Sequence, residues 1–328
     1  MSDVNRLDGV VLPSTGSPNQ HNPWQPADRP FEGCHLVEVV DGRNPEQAND
    51  EAKKGLNLGA SSILYWVHDN DDLSALLDGI RGDIAPVHLV GELQAISAAE
   101  VLAGIDGIGD WTGSFNLDPA EQLTREGQWM FGNKEAHLNE LQHAADLLPH
   151  GIRVVCANAM ADQSPAEQIA MIVASLTFQL DHIGWKHAGR TWALLQATGD
   201  YLQDIAMTQA LRGLWRQVLE SNDHGDQPLW IAGHVTSVNS KDAADLINSG
   251  LSMQAMRLGG ADEIWLDSLN DSEEAKQWAR EQFLVMAYES GLCQTSLQGS
   301  YTLDDWTCQL MAQAQGKLES WTSKLQTS

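Results

Sequence analysis

Basic residues are scarce in this 328-residue chain: 19 Lys and Arg stand against 45 Asp and Glu, a formal charge of −26 at pH 7. Phosphate contacts need clustered Lys and Arg, so the deficit argues against wholesale binding to nucleic acid or an anionic membrane. Cysteine is rarer still. Cys34, Cys156, Cys293 and Cys308 show no CxxC spacing, which argues against a zinc ribbon, a redox dithiol or a disulfide scaffold. No uncharged apolar run reaches the ~18 residues of a membrane span, and the N-terminus lacks a basic stretch leading into an apolar one. An acidic, soluble, cytoplasmic protein is expected. Also missing are the GxGxxG turn of dinucleotide folds, the GxSxG of a nucleophile elbow, and HxH or HExxH metal pairs.

What is present is strongly organised. Residues 1–31 hold Pro13, Pro18, Pro23, Pro26 and Pro30 among Ser, Gly, Asn and Gln, and read as an extended arm. From there to residue 328 the texture is that of one folded unit. Short β-like runs (His35–Val40, Ser61–Val67, Pro86–Gly91, Gly113–Asp118, Ile152–Asn158, Thr191–Gln196, Leu229–Val235, Ala261–Asp267) alternate with amphipathic stretches. In Pro165–Ile183, for example, Ile169, Ile172, Val173, Leu176 and Leu180 recur at helical spacing. Eight βα units in about 255 residues predict an α/β fold of the (β/α)8 TIM-barrel class. An open doubly wound sheet is disfavoured, because Val40 is followed by DGRNPEQ rather than a glycine-rich phosphate turn. Leu303–Leu325 is one more helix, expected on the outside.

Function in such a barrel sits at the C-terminal ends of the strands. Those ends offer His68, Asp69 and Asp71; Asp118; Asn158 and Asp162; Thr198, Gly199 and Asp200; His234, Thr236, Ser237 and Asn239; Asp267 and Asn270. His68, His234 and Asp267 are nominal metal ligands, but no paired spacing supports them and no metal is expected. Asp200 and Asp242 sit where helix N-caps belong, and Cys156 lies inside a strand as a small core residue. From residue types and spacing alone the chemistry stays open, a metal-dependent hydrolase or an aldolase included.

Three segments carry a resemblance. Gln196–Val218, QATGDYLQDIAMTQALRGLWRQV, resembles the sixth βα unit of the methylmalonyl-CoA mutase family at Gly199, Asp200, Tyr201, Ile205, Ala206, Arg212, Leu214 and Trp215. Gly233–Ser237, GHVTS, is similar to the family's His-x-x-Thr-Ser strand end, one residue shorter, with Leu258-Gly259-Gly260 following. Arg280, Glu289-Ser290-Gly291 and Gly299-Ser300-Tyr301 resemble the run that closes the family's barrel. The resemblance implies a barrel threaded by the pantetheine arm of an acyl-CoA, in an adenosylcobalamin-dependent isomerase. It marks His234, Thr236, Ser237, Gly199, Asp200 and Tyr301 as candidate cofactor- or substrate-facing residues.

The departures are as telling. The chain has no cobalamin-binding Asp-x-His-x-x-Gly motif, and Cys156-Ala157 stand where catalytic subunits carry Tyr-His. The resemblance is therefore to the small, non-catalytic subunit, which implies a heterodimer with a catalytic mutase chain or a cobalamin-domain protein as partner. Adenosylcobalamin would be reached only through that partner. An active split mutase and a plain acyl-CoA-binding barrel are the alternatives. CoA binding would need a positive mouth built from Lys53, Lys54, Arg81, Arg153 or Arg190.

Overall fold

Period-2 alternation along each strand sends one set of side chains into a barrel and the other toward its helices. The computed structural model describes residues 4–5, 11–12, 34–68, 72–93, 98–225, 227–236, 243–267, 273–290 and 300–327. Among these, eight parallel strands run in chain order: β1 (His35–Asp41), β2 (Ser62–Val67), β3 (Val87–Gly91), β4 (Gly113–Phe115), β5 in two pieces (Ile152–Arg153 and Val155–Asn158), β6 (Thr191–Gln196), β7 (Leu229–Thr236) and β8 (Glu263–Asp267). β8 pairs with β1, and the first piece of β5 pairs with β4 while the second pairs with β6. The sheet therefore closes on itself as a (β/α)8 barrel, as the periodicity predicts. The break in β5 is a bulge: Val154 and Val155 both join the outer core, whereas Cys156 joins the inner one.

The helices are α1 (Pro45–Asn57), α2 (Leu73–Leu76), α3 (Ala98–Ala103), α4 (Pro119–Glu126), α5 (Lys134–Leu147), α6 (Pro165–Ile183), α7 (Tyr201–Ser221), α8 (Ala243–Gly259), α9 (Glu273–Tyr288) and α10 (Tyr301–Thr327). α4 occupies a stretch that sequence reading left without an element, and β4 ends at Phe115 rather than Asp118. The Asp118 side chain accepts from the backbone N–H groups of Ala120 and Glu121, and Pro119 fills the first helical position. Of the N-terminal arm, Val4–Asn5 pairs antiparallel with Val11–Leu12; the proline-bearing positions lie outside the described residues. No described helix is long and apolar enough to cross a membrane.

Two apolar shells hold the barrel. The outer one lies between strands and helices. The inner one fills the bore with Val37, Leu64, Val90, Cys156, Trp192, Leu194, Ala232 and Trp265, all buried. Below it, at the N-terminal ends of the strands, His88 and Glu263 meet at 2.9 Å with no side-chain exposure. A bore plugged by indoles and floored by the His88–Glu263 contact leaves no passage for a pantetheine arm, which corrects the expectation of an acyl-CoA threaded along the axis.

Candidate active site

The strand ends form a mouth whose wall changes character around the ring. On the β2–β5 side an open cleft lies between an apolar wall of Trp66, Val90 and Met130 and a polar wall of Asn116, Asn158, Glu121 and Arg125. The polar groups form a relay whose direction is fixed at its start. The Asp118 N–H can only donate, and it donates to Asn116 Oδ1 at 3.1 Å, so the Asn116 amide nitrogen faces onward. That nitrogen donates to Asn158 Oδ1 at 2.9 Å, and the Asn158 nitrogen then donates to Glu121 Oε2 at 2.5 Å. The relay ends on a carboxylate. Arg125, on the exposed rim, reaches Glu121 Oε1 at 3.3 Å, long enough to be displaced.

Asp118 lies beneath this relay and is 3 % exposed. Its oxygens accept from Ser175 Oγ at 2.7 Å, Asn158 N at 2.8 Å and Ala120 N at 2.9 Å, so it shapes the cleft from below. Burial pushes its carboxyl up to about 7, the Glu121 charge adds to the push, and the surrounding donors oppose it. Protonation is thus tighter in the folded chain than in the unfolded one, whose carboxyl titrates at ~3.9. The resulting stabilisation is complete below about pH 4 and is lost as pH rises through about 7. Carbon-13 NMR of the Asp118 carboxyl is expected to show a midpoint near 7, and Asp118→Asn to flatten the fall in stability across that window. A midpoint at ~4 would contradict the assignment.

On the opposite side, His234 lies flat on Trp265 at 4.3 Å, and Trp265 touches Trp66 at 5.7 Å, so the aromatic floor runs on to the cleft. Gln196 Nε2 donates to the carbonyl of Ala159 at 3.0 Å, which turns its Oε1 toward His234. His234 Nδ1 sits 2.6 Å from that oxygen and must carry the proton. In the neutral ring Nε2 is then the basic nitrogen.

The other expected residues scatter. Thr236 is exposed at the end of β7, and Ser237 lies outside the described residues, as do Asp69, Asp71, Asn239 and Asn270. Gly199 takes the turn before α7 with φ +81°, and Asp200 caps that helix by accepting from Gln203 N at 3.1 Å. Tyr301 opens α10, 41 % exposed. None of Gly199, Asp200, His234 and Tyr301 lines the cleft. His68 pairs with Asp41 at 3.1 Å, and among the described residues no group of three His, Cys, Asp or Glu could hold a metal.

Sequence reading missed Glu121 and Arg125 because it gave α4 no element, and Asn116 because it lay inside the expected strand Gly113–Asp118. The signal was an Asp-Pro helix start followed by Glu and Arg four apart.

The basic residues do not assemble at the mouth either. Lys54 pairs with Glu273 at 2.6 Å and Arg81 with Asp83 at 2.5 Å. Arg153 lies 4.0 Å over the Trp230 ring, and Arg190 is buried among carbonyls. The segments resembling the mutases also have plain structural duties. Arg212 holds the carbonyls of Leu229 and Gly260, and Arg280 pairs with Glu38 in the outer core at 2.9 Å. Gly259 lets α8 close on α7, since a Cβ there would stand 2.7 Å from Thr208.

No family model matches the chain, and no curated protein does. Dihydropteroate synthases are among the solved structures that match. That of Stenotrophomonas maltophilia is 11% identical, covering 79% of this chain and 95% of its own, with a TM-score of 0.47. The HPPK-DHPS of Plasmodium falciparum is 10% identical over 82% of this chain and 49% of its own, TM-score 0.46. That of Anaplasma phagocytophilum is 9% identical over 77% and 98%, TM-score 0.42. At these values no residue or activity is carried over from them. None of the three is a mutase, and with the bore filled the expectation of a methylmalonyl-CoA mutase subunit, its acyl-CoA isomerase chemistry and its adenosylcobalamin is corrected.

Proposed function

We propose that the chain is a barrel enzyme whose cleft takes a small, flat, nitrogen-rich ring presenting a row of N–H donors to Glu121. The observation that carries this is the relay ending on Glu121, a carboxylate with lone pairs to spare across from an apolar wall that includes Trp66. A donor edge such as that of an aminopyrimidine matches a carboxylate in two places, and Trp66 supplies a face to stack on. The strongly acidic chain favours a neutral or cationic ligand over a polyanion. A cytoplasmic location goes with this reading, supported by Cys156 and Cys308, which form no disulfide.

Calorimetric titration with 2-aminopyrimidine, guanine and pterin is expected to show binding that benzoate does not share. Glu121→Gln, which swaps an acceptor oxygen for a donor nitrogen, is expected to weaken it at least tenfold, ~1.4 kcal/mol or more. Absence of binding by all three rings, or an unchanged affinity in Glu121→Gln, would sink the reading.

A further inference from the structure

The last turn of α10 is wedged behind the cleft. Lys324 Nζ donates to Thr124 Oγ1 on α4 at 3.0 Å. Leu325, 1% exposed, packs with Ala120 and Leu123 of α4 and with Trp129, Met171 and Ala174. Lys134, the first residue of α5, completes the joint: its Nζ donates to the carbonyls of Leu325 and Gln326 at 3.1 and 2.9 Å. That places a cation at the negative end of the α10 dipole, and the same ammonium lies 5.1 Å from the Phe178 ring.

α4 has eight residues, far fewer than a helix needs to stand alone in water. Its two faces divide the labour at helical spacing. Ala120, Leu123 and Thr124 face α10 and its surroundings, while Glu121, Gln122 and Arg125 line the cleft. The polar wall is therefore held in place from behind by a segment about two hundred residues away in the chain.

We infer that the C-terminal turn of α10, secured by Lys134, is the positioning element of the cleft. Loosening it frees α4, and a ligand that clamps α4 in turn tightens the tail, because such coupling is reciprocal. The half of this inference that concerns the ligand rests on the proposed ring site; the half that concerns α4 does not.

Amide hydrogen exchange on the full chain separates the two. In Leu325→Ala and Lys134→Met, amides of 120–126 are expected to exchange at least tenfold faster while those of β6 and β7 keep their protection. Lys134→Arg, which keeps a donor to both carbonyls, is expected to restore α4. Unchanged protection in α4 would overturn the brace, and so would equal acceleration in the barrel strands, which would mean general unfolding. In the second arm, Lys134→Met is expected to weaken 2-aminopyrimidine binding at least fivefold. Unaltered affinity would overturn the coupling. If the wild-type chain does not bind 2-aminopyrimidine, guanine or pterin, the proposed function fails, and exchange in α4 alone decides the brace.

Discussion

Arg190→Met is expected to lower the unfolding free energy by about 3 to 5 kcal/mol, read from the midpoint of a urea titration. Arg190 is 3% exposed, and among the described residues no carboxylate pairs with its guanidinium. Its fork instead donates to Ile152 O at 3.0 Å, Ala145 O at 2.6 Å, Leu148 O at 3.1 Å and Pro149 O at 3.2 Å. These carbonyls belong to the end of α5 and the first piece of β5, so one side chain satisfies the helix terminus and ties it to the sheet. Burial pushes the guanidinium down to about 10, low for Arg yet still fully charged at neutral pH. Methionine keeps the stem and removes every donor, leaving acceptors stranded in the interior at about 1–3 kcal/mol each before relaxation. As a control, Arg216→Met deletes an exposed pair with Glu220 four residues on, expected to matter by about 0.5 kcal/mol or less. A loss under ~1 kcal/mol for Arg190→Met would show that water can reach those carbonyls after all.

The floor of the barrel gives the second large effect. His88 Nε2 lies 2.9 Å from Glu263 Oε2 and 3.1 Å from Ser62 Oγ; Ser62 Oγ itself donates to Pro86 O, and the other His88 ring nitrogen meets Ser114 Oγ at 2.8 Å. Trp230 Nε1 donates to the other Glu263 oxygen. Removing one member of a buried pair leaves the other without compensation, so Glu263→Ala is expected to cost about 3–5 kcal/mol. Replacing both, His88→Leu with Glu263→Leu, is expected to recover much of that, because desolvating a carboxylate and its polar partner is itself costly. Burial pushes the Glu263 carboxyl up, but the neighbouring His88, with Arg153 and His35, outweighs it and holds the carboxyl below its ordinary value. A depressed acid stabilises the fold above its unfolded value of ~4.3, and that contribution disappears as pH falls below it. Acid denaturation of the wild type is therefore expected to be steeper below pH ~4 than that of the double Leu variant. Parallel acid limbs for the two proteins would contradict the assignment.

The barrel was legible in the sequence because each strand is a short apolar run with its own punctuation. TWALLQ and LWIAGHVT need no partner to be recognised, and parallel strands buried on both faces read as nearly continuous hydrophobic stretches. His234 was legible for the same reason, as a polar residue near the end of such a run. α4 was not. It offers little apolar surface of its own beyond Ala120 and Leu123, and what stabilises it arrives from α10. Glu121 and Arg125 vanished with it. The plugged bore was hidden differently: inward and outward positions follow from register, and the bulge at Val154 shifts register within one strand.

The mutase resemblance misled for a physical reason. A glycine where two helices touch, an aspartate at a helix start, and arginines that bind strand-end carbonyls or a buried carboxylate answer needs common to βα barrels. Gly259, Asp200, Arg212 and Arg280 meet those needs here. Short matches at such positions report architecture rather than ancestry.

The divided strand has one more consequence. The ladder between β4 and β5 is only two residue pairs long, Gly113 with Ile152 and Ser114 with Arg153. The cylinder is thus a broad ribbon curled round and fastened by a small clasp. Arg190 rivets one end of that clasp, and the Asn116–Asn158 hydrogen bond crosses its other end, at the bottom of the cleft. A guest seated there would lie across the hem, so that filling the cleft and keeping the ribbon shut become a single event.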